Sequence, residues 1–466
     1  ETRLNSTQGV VFSLMRDLDF GEKDPDGRLI ADVVTNTTDA NGNPVNFLVR
    51  RTGACVSGEV KSETFAIGHT HVPFRKLTLS EKNISEITSV FDSDSNEYYE
   101  VKSLTQDTIF KTYKNVRDDK FYSPEGLEIK MAPRRFVKKT SLLDRTVQIQ
   151  FGSGDGLNFE DGILPDPSEM SLPLYGKDNF TFTYIDPNSL INSRTLGSSP
   201  RNTVITVTYR HGGGLNHNIT AGSITTIQDL RIIFADANLV SSTVVAANLE
   251  KASGGSEALT IRELRSLVPG FRNAQSRIVT KEDLLARIYT LPSNLGRVYR
   301  ATVRPNANNP LASNLFIVSL DNNGDLVTSN DTLKLNLSNY LNEFRLSNEA
   351  IDILDAKILN FKIKISVAAK ASTFSELVSA EIITKLTRYF DTKFDQIEKP
   401  IVLNTQGILS IETVKIESMS GQISGRQYGS NRFNPQLLTK KNIVNPPPGG
   451  IFNLKFPEFD IEVVVS

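Results

Sequence analysis

This 466-residue sequence lacks the residues on which several classes of protein depend. It has no tryptophan and one cysteine, Cys55, which excludes an internal disulfide and any metal site built from several thiolates. No apolar run approaches the length of a membrane-spanning helix. Neither sign of charge dominates, since 52 basic residues stand against 53 acidic ones. We therefore expect neither a nucleic acid nor a membrane as a partner.

Histidine is also scarce. The four histidines are His69, His71, His211 and His217. The run HGGG at 211–214 matches the oxyanion-hole loop of lipases and esterases, whose catalytic residues follow the order serine, acid, histidine. The nearest match to their nucleophile motif is centred on Ser256, and no histidine follows it. We therefore predict that the chain is not an enzyme and that the glycines provide the positive-φ exit from a strand.

Three further motifs are incomplete as ligand sites. His69 and His71 would share one face of a strand and could bind a metal, but they lie in the Gly- and Pro-bounded segment GHTHVPF. The glycine-rich run at 151–156 lacks the lysine of a phosphate-binding loop. The DNNGD run at 321–325 is followed by Leu326 and Thr332 at the sixth and twelfth positions, where a calcium loop has glycine and glutamate. We predict no metal site and no cofactor.

Hydrophobic periodicity predicts a multidomain α+β protein. Alternation with period two predicts strands at Arg145–Phe151 and Thr203–Tyr209 in a β-rich N-terminal half, and a strand at Asn360–Val367 in the C-terminal half. After residues 254–255, helical spacing predicts a helix at Glu257–Val268, and a capping box begins another helix at Thr280–Asp283. The order helix, strand, strand, helix, strand, helix predicts a ferredoxin-like α+β C-terminal half.

Shifts in composition divide the chain into four predicted segments. They are a β-rich domain at 1–115, a β-rich domain at 116–253 with a long loop at 152–200, an α+β domain at 254–424, and an extended arm with a terminal strand at 425–466. The alternating residues 459–465 could complete a sheet of their own chain or add to the sheet edge of a neighbour. Between the β-rich and α+β halves, Gly254 and Gly255 are candidates for a hinge.

A resemblance to a known family rests on the order of motifs after this glycine pair. Its residues are Ile261, Arg262 and Leu264 in an IREL run, then Arg277, Thr280 and Asp283. They resemble the pattern of the baseplate J-like family of contractile phage tails, which includes the wedge proteins of T4-like phages. Segments at 99–104, 147–156 and 203–214 are also similar to family strands, and the order holds over roughly residues 60–420.

The resemblance implies a structural role. Family members form wedges around a hub, make homodimer contacts, close into a sixfold ring and rearrange when the tail contracts. It implies a location in the tail baseplate of the virion after assembly in the host cytoplasm. Other wedge proteins and sheath initiators would be partners, and no catalytic residue or cofactor is implied.

The sequence also leads us to expect a segment that precedes Glu1, and it leaves one alternative function open. The chain begins at Glu1 without an initiator methionine, and the helical N-terminal part of the family has no counterpart, so we expect a preceding segment. The turn-rich strands and the Asn-x-Ser/Thr sites also fit a secreted or surface β-rich adhesin with an α+β appendage. Dimerisation and binding of partner chains would favour the baseplate component over the adhesin.

Overall fold

The computed structural model describes most of the chain and divides it into two compact units. The described residues are 2–155, 196–233, 243–367, 375–390, 401–402 and 411–465, apart from residues 25, 118, 120, 121, 124, 142, 143, 258, 275, 276, 441 and 442. The first unit comprises Glu1–Asn5, Val10–Gly212 and Ile227–Val240, and the second comprises Ser6–Gly9, Gly213–Thr226 and Ser241–Ser466. The division of the sequence into four segments stays a prediction.

Strands dominate the described residues up to 233. They are β1 (Arg3–Ser6), β2 (Val11–Leu14), β3 (Asp32–Thr38), β4 (Pro44–Arg50), β5 (Cys55–Ser57), β6 (Glu59–Ile67), β7 (Lys76–Lys82), β8 (Ile84–Phe91), β9 (Tyr99–Glu100), β10 (Thr108–Lys114), β11 (Glu125–Met131), β12 (Arg135–Thr140), β13 (Thr146–Phe151), β14 (Gly154–Asp155), β15 (Ser198–Ser199), β16 (Thr203–His211) and β17 (Ile224–Asp229).

Two sheets enclose the core of the first unit. One has the strand order β7-β13-β12-β9, and the other has the order β6-β16-β8. Alternate side chains of the central strands β13 and β16 are fully or almost fully buried in a single cluster: Val147, Ile149, Phe151, Ile205, Val207 and Tyr209. These are the strands that period-two alternation predicts, and β16 extends two residues beyond the predicted end. Burial of these side chains, at about 25 cal/mol per Å² of apolar surface, is the main force holding the sheets together.

The second unit mixes helices with strands. The helices are α1 (Ile261–Asn273), α2 (Lys281–Tyr289), α3 (Asp331–Asn342), α4 (Ser375–Tyr389), α5 (Pro435–Leu438) and α6 (Pro457–Asp460). The strands are β18 (Arg300–Pro305), β19 (Ala312–Leu320), β20 (Leu326–Val327), β21 (Ala350–Asp355), β22 (Lys357–Val367), β23 (Ile401–Val402), β24 (Ile411–Met419), β25 (Gln422–Ile423), β26 (Arg426–Gln427), β27 (Thr439–Lys440), β28 (Ile443–Val444), β29 (Gly450–Asn453) and β30 (Ile461–Val465). The predicted fold class, β-rich followed by α+β, is confirmed.

Capping boxes fix the starts of the first two helices. The Thr280 side chain accepts from the amide of Asp283, whose carboxylate accepts from the amide of Thr280, as the sequence predicts. The same reciprocal pair, Thr260 and Glu263, begins α1. Helical spacing alone places that start near residue 257, but Thr260 is the first residue able to satisfy the free amides of the first turn.

Two sheets carry the apolar cores of the second unit. In the first, β18 and β21 flank β19, and α2 and α3 cover the sheet with leucine and isoleucine side chains. In the second, β22 pairs antiparallel with β24, and α4 packs against the cluster centred on Phe361. The alternation at 360–367 predicts β22, whose observed start lies three residues earlier, at Lys357.

The last described strands complete the sheet of their own chain. Along one side of β22, β29 pairs in parallel with Lys357–Asn360 and β30 pairs in parallel with Ile363–Val367. The sequence left open whether the terminal strand belongs to this sheet or to a neighbour, and the structure places it here. Asp460 precedes β30 with no exposed surface. It accepts hydrogen bonds from the hydroxyl of Tyr428 at 2.6 Å and from the amide of Phe456 at 2.9 Å.

This buried pair predicts a pH-dependent stability. Burial raises the pKa of Asp460 in the folded chain, although the hydrogen bond from Tyr428 opposes the rise. The folded state therefore holds this proton more tightly than the unfolded chain. The contribution of Asp460 to the free energy of unfolding is largest at pH values below the pKa of this residue in the unfolded chain. That contribution is lost as the pH rises through the pKa of Asp460 in the folded chain.

Removal of the hydroxyl donor by Tyr428→Phe should lower the free energy of unfolding more when the carboxyl of Asp460 is ionised. We expect a loss of about 2 kcal/mol at pH 7 and about 1 kcal/mol at pH 4, because a hydrogen bond to a charged acceptor is the stronger one. Urea unfolding at the two pH values measures the difference. Tyr122→Phe removes a hydroxyl from a side chain that is 90% exposed and should change neither value. Equal losses for Tyr428→Phe at both pH values would contradict this account.

Candidate functional site

The HGGG run is a strand exit. Strand β16 ends at His211, and Gly212, Gly213 and Gly214 follow with φ of 105°, 111° and 102°. Only glycine adopts three such values in succession without steric cost, so the interpretation as a strand exit is confirmed. The amide of Gly213 donates to Nε2 of His217 at 3.3 Å.

The hydroxyl of Ser256 has an arginine as its described partner. It accepts from the guanidinium of Arg297 at 3.4 Å, and no described hydrogen bond joins it to a histidine. Among the described residues, no group of three or more His, Cys, Asp and Glu side chains, including His69 and His71, is placed to hold a metal ion. No described helix is both long enough and apolar enough to span a membrane. The absence of enzymatic activity stays a prediction.

The glycine pair at 254–255 is held by hydrogen bonds inside the second unit. The carbonyl of Gly254 accepts from the amide of Arg297 at 2.9 Å, and Gly254 itself has φ of 97°. The Asn218 side chain accepts from the amide of Gly255 at 2.8 Å and donates to its carbonyl at 2.9 Å. The same Asn218 amide group also donates to the carbonyl of Leu320. These contacts describe how the pair is held, and its role as a hinge stays a prediction.

The residues that carry the family resemblance have mostly local roles. Thr280 and Asp283 cap α2, Leu264 is half-buried on α1, and Arg277 is exposed. Ile261 is the first residue of α1 and is 62% exposed, and the side chain of Arg262 lies outside the described part.

A hairpin in the first unit turns its apolar face to solvent. Strands β10 and β11 pair antiparallel, and alternation along them places four large side chains on one face. These are Phe110, Leu127, Ile129 and Met131, which are 68%, 68%, 67% and 64% exposed. Contiguous exposed apolar surface of this kind is uncommon on monomeric proteins.

The opposite face of the same hairpin contacts its own chain and carries Lys111, Glu128 and Lys130 beside Tyr113 and the half-buried Ile109. Lys111 forms an ion pair with Glu97 at 3.3 Å. The ammonium groups of Lys111 and Lys130 lie 5.9 and 5.4 Å from the ring centroid of Tyr99. The hairpin is therefore reversed relative to an ordinary surface hairpin, whose apolar face covers the core.

A second hairpin, β3–β4, is exposed along its full length. Every residue of both strands is exposed. Its register pairs Val33 with Val49 and Thr35 with Phe47, so these side chains share one face. Sequence reasoning missed both hairpins as functional elements. Their alternation is visible in the sequence, but alternation predicts an apolar face without showing whether its own chain covers it.

The comparisons with known proteins find similarity to solved structures but no matching family or curated protein. One similar solved structure is the cryo-electron microscopy structure of the anti-feeding prophage (AFP) baseplate, sixfold symmetrised. The match covers 77% of this chain and 72% of that chain, with 9% sequence identity and a TM-score of 0.25. A similarity at that TM-score assigns neither a fold nor a function to this chain.

Proposed function

We propose that this chain is a structural component of a contractile tail baseplate. It forms a wedge of the inner ring around the hub, contacts other copies of itself together with wedge and sheath-initiator proteins, and transmits the rearrangement to the sheath on contraction. It catalyses no reaction and binds no cofactor. It resides in the tail baseplate of the virion.

The observation that carries the proposal is the reversed hairpin β10–β11. An isolated two-stranded hairpin is marginally stable in water, and it is stabilised when its apolar face packs against another element. Here the opposite face contacts its own chain, so the apolar face is the one left for another protein. Such a surface forms contacts in a protein that is part of an assembly, whereas in a free monomer it promotes aggregation.

The choice among assemblies rests on the sequence. The order of the glycine pair, the IREL run, Arg277 and the Thr280–Asp283 cap supports a baseplate of the J-like type. The second exposed hairpin, β3–β4, supports an assembly with more than one contact. A ring component needs at least two separate contact surfaces, because each copy touches a neighbour on either side.

Removal of the apolar side chains of the hairpin tests the assembly role. We expect Phe110→Thr with Ile129→Thr to reduce incorporation of the chain into baseplates about 100-fold or more. Each lost apolar side chain is worth about 1.5–3 kcal/mol when fully buried in a contact. Threonine keeps the tendency of both positions to form strands, so the hairpin itself should persist. Quantitative mass spectrometry of purified particles measures incorporation, and electron microscopy shows whether the chain lies in a sixfold ring.

The control is an exposed apolar residue elsewhere. Leu437 on α5 is 77% exposed, and Leu437→Thr should leave incorporation unchanged. The thermal midpoint of the purified double variant should stay within about 2 °C of the parent, since exposed substitutions change stability by about 0.5 kcal/mol each. Normal incorporation of the double variant would refute the role of the hairpin, and absence of the unmodified chain from baseplates would refute the proposed function.

A further inference from the structure

A groove in the second unit lies between α1 and α2. Its volume is about 500 Å³, within the usual range for ligand sites. The residues lining it are Leu259, Leu264, Leu267, Val268, Phe271, Arg272, Arg287 and Thr290. No residue of α1 with a described side chain is buried, and none belongs to the core cluster that α2 and α3 build. The apolar side of α1 therefore forms a wall of this groove and contributes nothing to the core.

A buried cation lies in the groove. The side chain of Arg287, on α2, is 4% exposed. Its guanidinium carbon lies 4.8 Å from the ring centroid of Phe271 and 4.4 Å from that of Phe344, so the two rings enclose it. Within the described part of the chain, no carboxylate or carbonyl accepts a hydrogen bond from this guanidinium, and its Nε is buried without a partner. Burial of a charge is unfavourable unless it is paired, and the ring contacts supply only part of the compensation.

We propose that this groove binds an acidic, apolar segment of a partner polypeptide. A carboxylate of the segment accepts hydrogen bonds from Arg287, and neighbouring apolar side chains pack against Leu264, Leu267 and Phe271. The inference rests on the proposed function only in taking the partner to be another protein of the same assembly.

The chemistry of the groove selects this occupant. Rings stacked on a guanidinium leave its edge available for hydrogen bonds, and the two parallel N–H groups of that edge match the two oxygens of a carboxylate. The remaining lining is mainly leucine, valine and phenylalanine, which suits aliphatic or aromatic side chains. Nucleic acid is disfavoured, because Arg272 is the only further cation among the lining residues.

A double-mutant cycle, with one change in the protein and one in a probe peptide, tests whether Arg287 pairs with a carboxylate. The probe is a short capped peptide whose leucine, phenylalanine and single glutamate occupy one helical face, and its partner probe has glutamine in place of glutamate. Titration calorimetry with the full chain should show binding of the glutamate peptide about tenfold tighter than that of the glutamine peptide. With Arg287→Met, the two peptides should bind alike. Arg287→Lys should retain part of the preference, because it keeps the charge and loses the planar pair of donors.

The comparison of two peptides on the unmodified chain does not depend on the folding of any variant. Equal binding of both peptides, or binding of neither, would overturn the proposal. Dodecanoate is the third probe. If dodecanoate binds and neither peptide binds, the occupant of the groove is a small carboxylate, and the proposal of a polypeptide occupant is refuted.

In baseplates, a photo-crosslinking residue at position 271 should attach to a partner segment that carries an acidic side chain among apolar ones. The same residue at position 437 should not attach to that segment. Crosslinks from position 271 only to segments without acidic residues would contradict the proposal. Incorporation of the unmodified chain into baseplates tests the proposed function alone, whereas the peptide titrations test the groove alone, so failure of one is distinguishable from failure of the other.

Discussion

Replacement of Gly152 with alanine should lower the free energy of unfolding of the first unit by about 3 kcal/mol or more. A Cβ at this position would lie 2.1 Å from the carbonyl oxygen of Gly197 and 2.5 Å from that of Leu196. Both atoms belong to the backbone, so no side-chain rotation relieves the overlap. Overpacking a core ordinarily costs about 1–3 kcal/mol, and here β13 and the 196–199 segment would have to separate.

The surroundings of Gly152 make that separation costly. Phe151, directly before it, is fully buried in the core of the first unit. Two residues after it, the amide of Gly154 donates to the carbonyl of Gly197 at 2.9 Å, and Ser199 is fully buried. A shift of either segment would disturb the core on one side or the β14–β15 pairing on the other. Close approach of two backbones is a known reason for a glycine next to a strand.

Gly68→Ala is the matched control for this substitution. Gly68 has open space where its Cβ would lie and has no positive φ. We expect a change within about 0.5 kcal/mol for it, or a slight gain from the reduced freedom of the unfolded chain. Urea unfolding monitored by hydrogen exchange in β13 separates the two variants. Similar free energies of unfolding for Gly152→Ala and Gly68→Ala would refute the conclusion that the backbone of residues 196–197 lies too close to Gly152 to admit a Cβ.

Asn218→Ala is expected to cost about 3 kcal/mol in the second unit. The Asn218 side chain is 97% buried and makes three hydrogen bonds, two to Gly255 and one to the carbonyl of Leu320. Alanine would leave one amide and two carbonyls without that partner, and each unpaired buried polar group costs about 1–3 kcal/mol. The total is less than the sum because water can reach the half-buried Gly255 and Leu320.

The neighbouring Asn216→Ala supplies the control for Asn218. Asn216 lies in the short helical turn Leu215–His217, which Asn218 follows, and it is exposed, so its replacement should change stability by less than about 0.5 kcal/mol. Asn218→Asp keeps an acceptor for the amide of Gly255 and loses both donors. It should therefore destabilise the unit at least as much as alanine at neutral pH. A small effect of Asn218→Ala would mean that Gly254 and Gly255 are held by other contacts.

Sequence patterns predicted the strands and helix starts that depend on residues close together in the sequence. The alternation at 145–151 and 360–367 predicted β13 and β22, because the side chains of a strand point to its two faces in turn. The capping box predicted the start of α2, since its two hydrogen bonds join residues only three positions apart. The start of α1 has the same local signal, Thr260 with Glu263, so in this helix the capping box locates the start better than hydrophobic spacing does.

The sequence by itself determined the fold class, the strand exit at HGGG, the helix cap at Thr280 and the scarcity of residues for metal or triad chemistry. Each follows from composition or from residues within one turn or strand of one another. Tertiary structure alone decided that the apolar face of β10–β11 is exposed, that β30 pairs with β22, and that Asn218 holds Gly255, 37 residues away. It also left Arg287 between two rings without a carboxylate among the described residues. The reason is that periodicity defines an apolar face, whereas the position of the whole chain decides what covers that face.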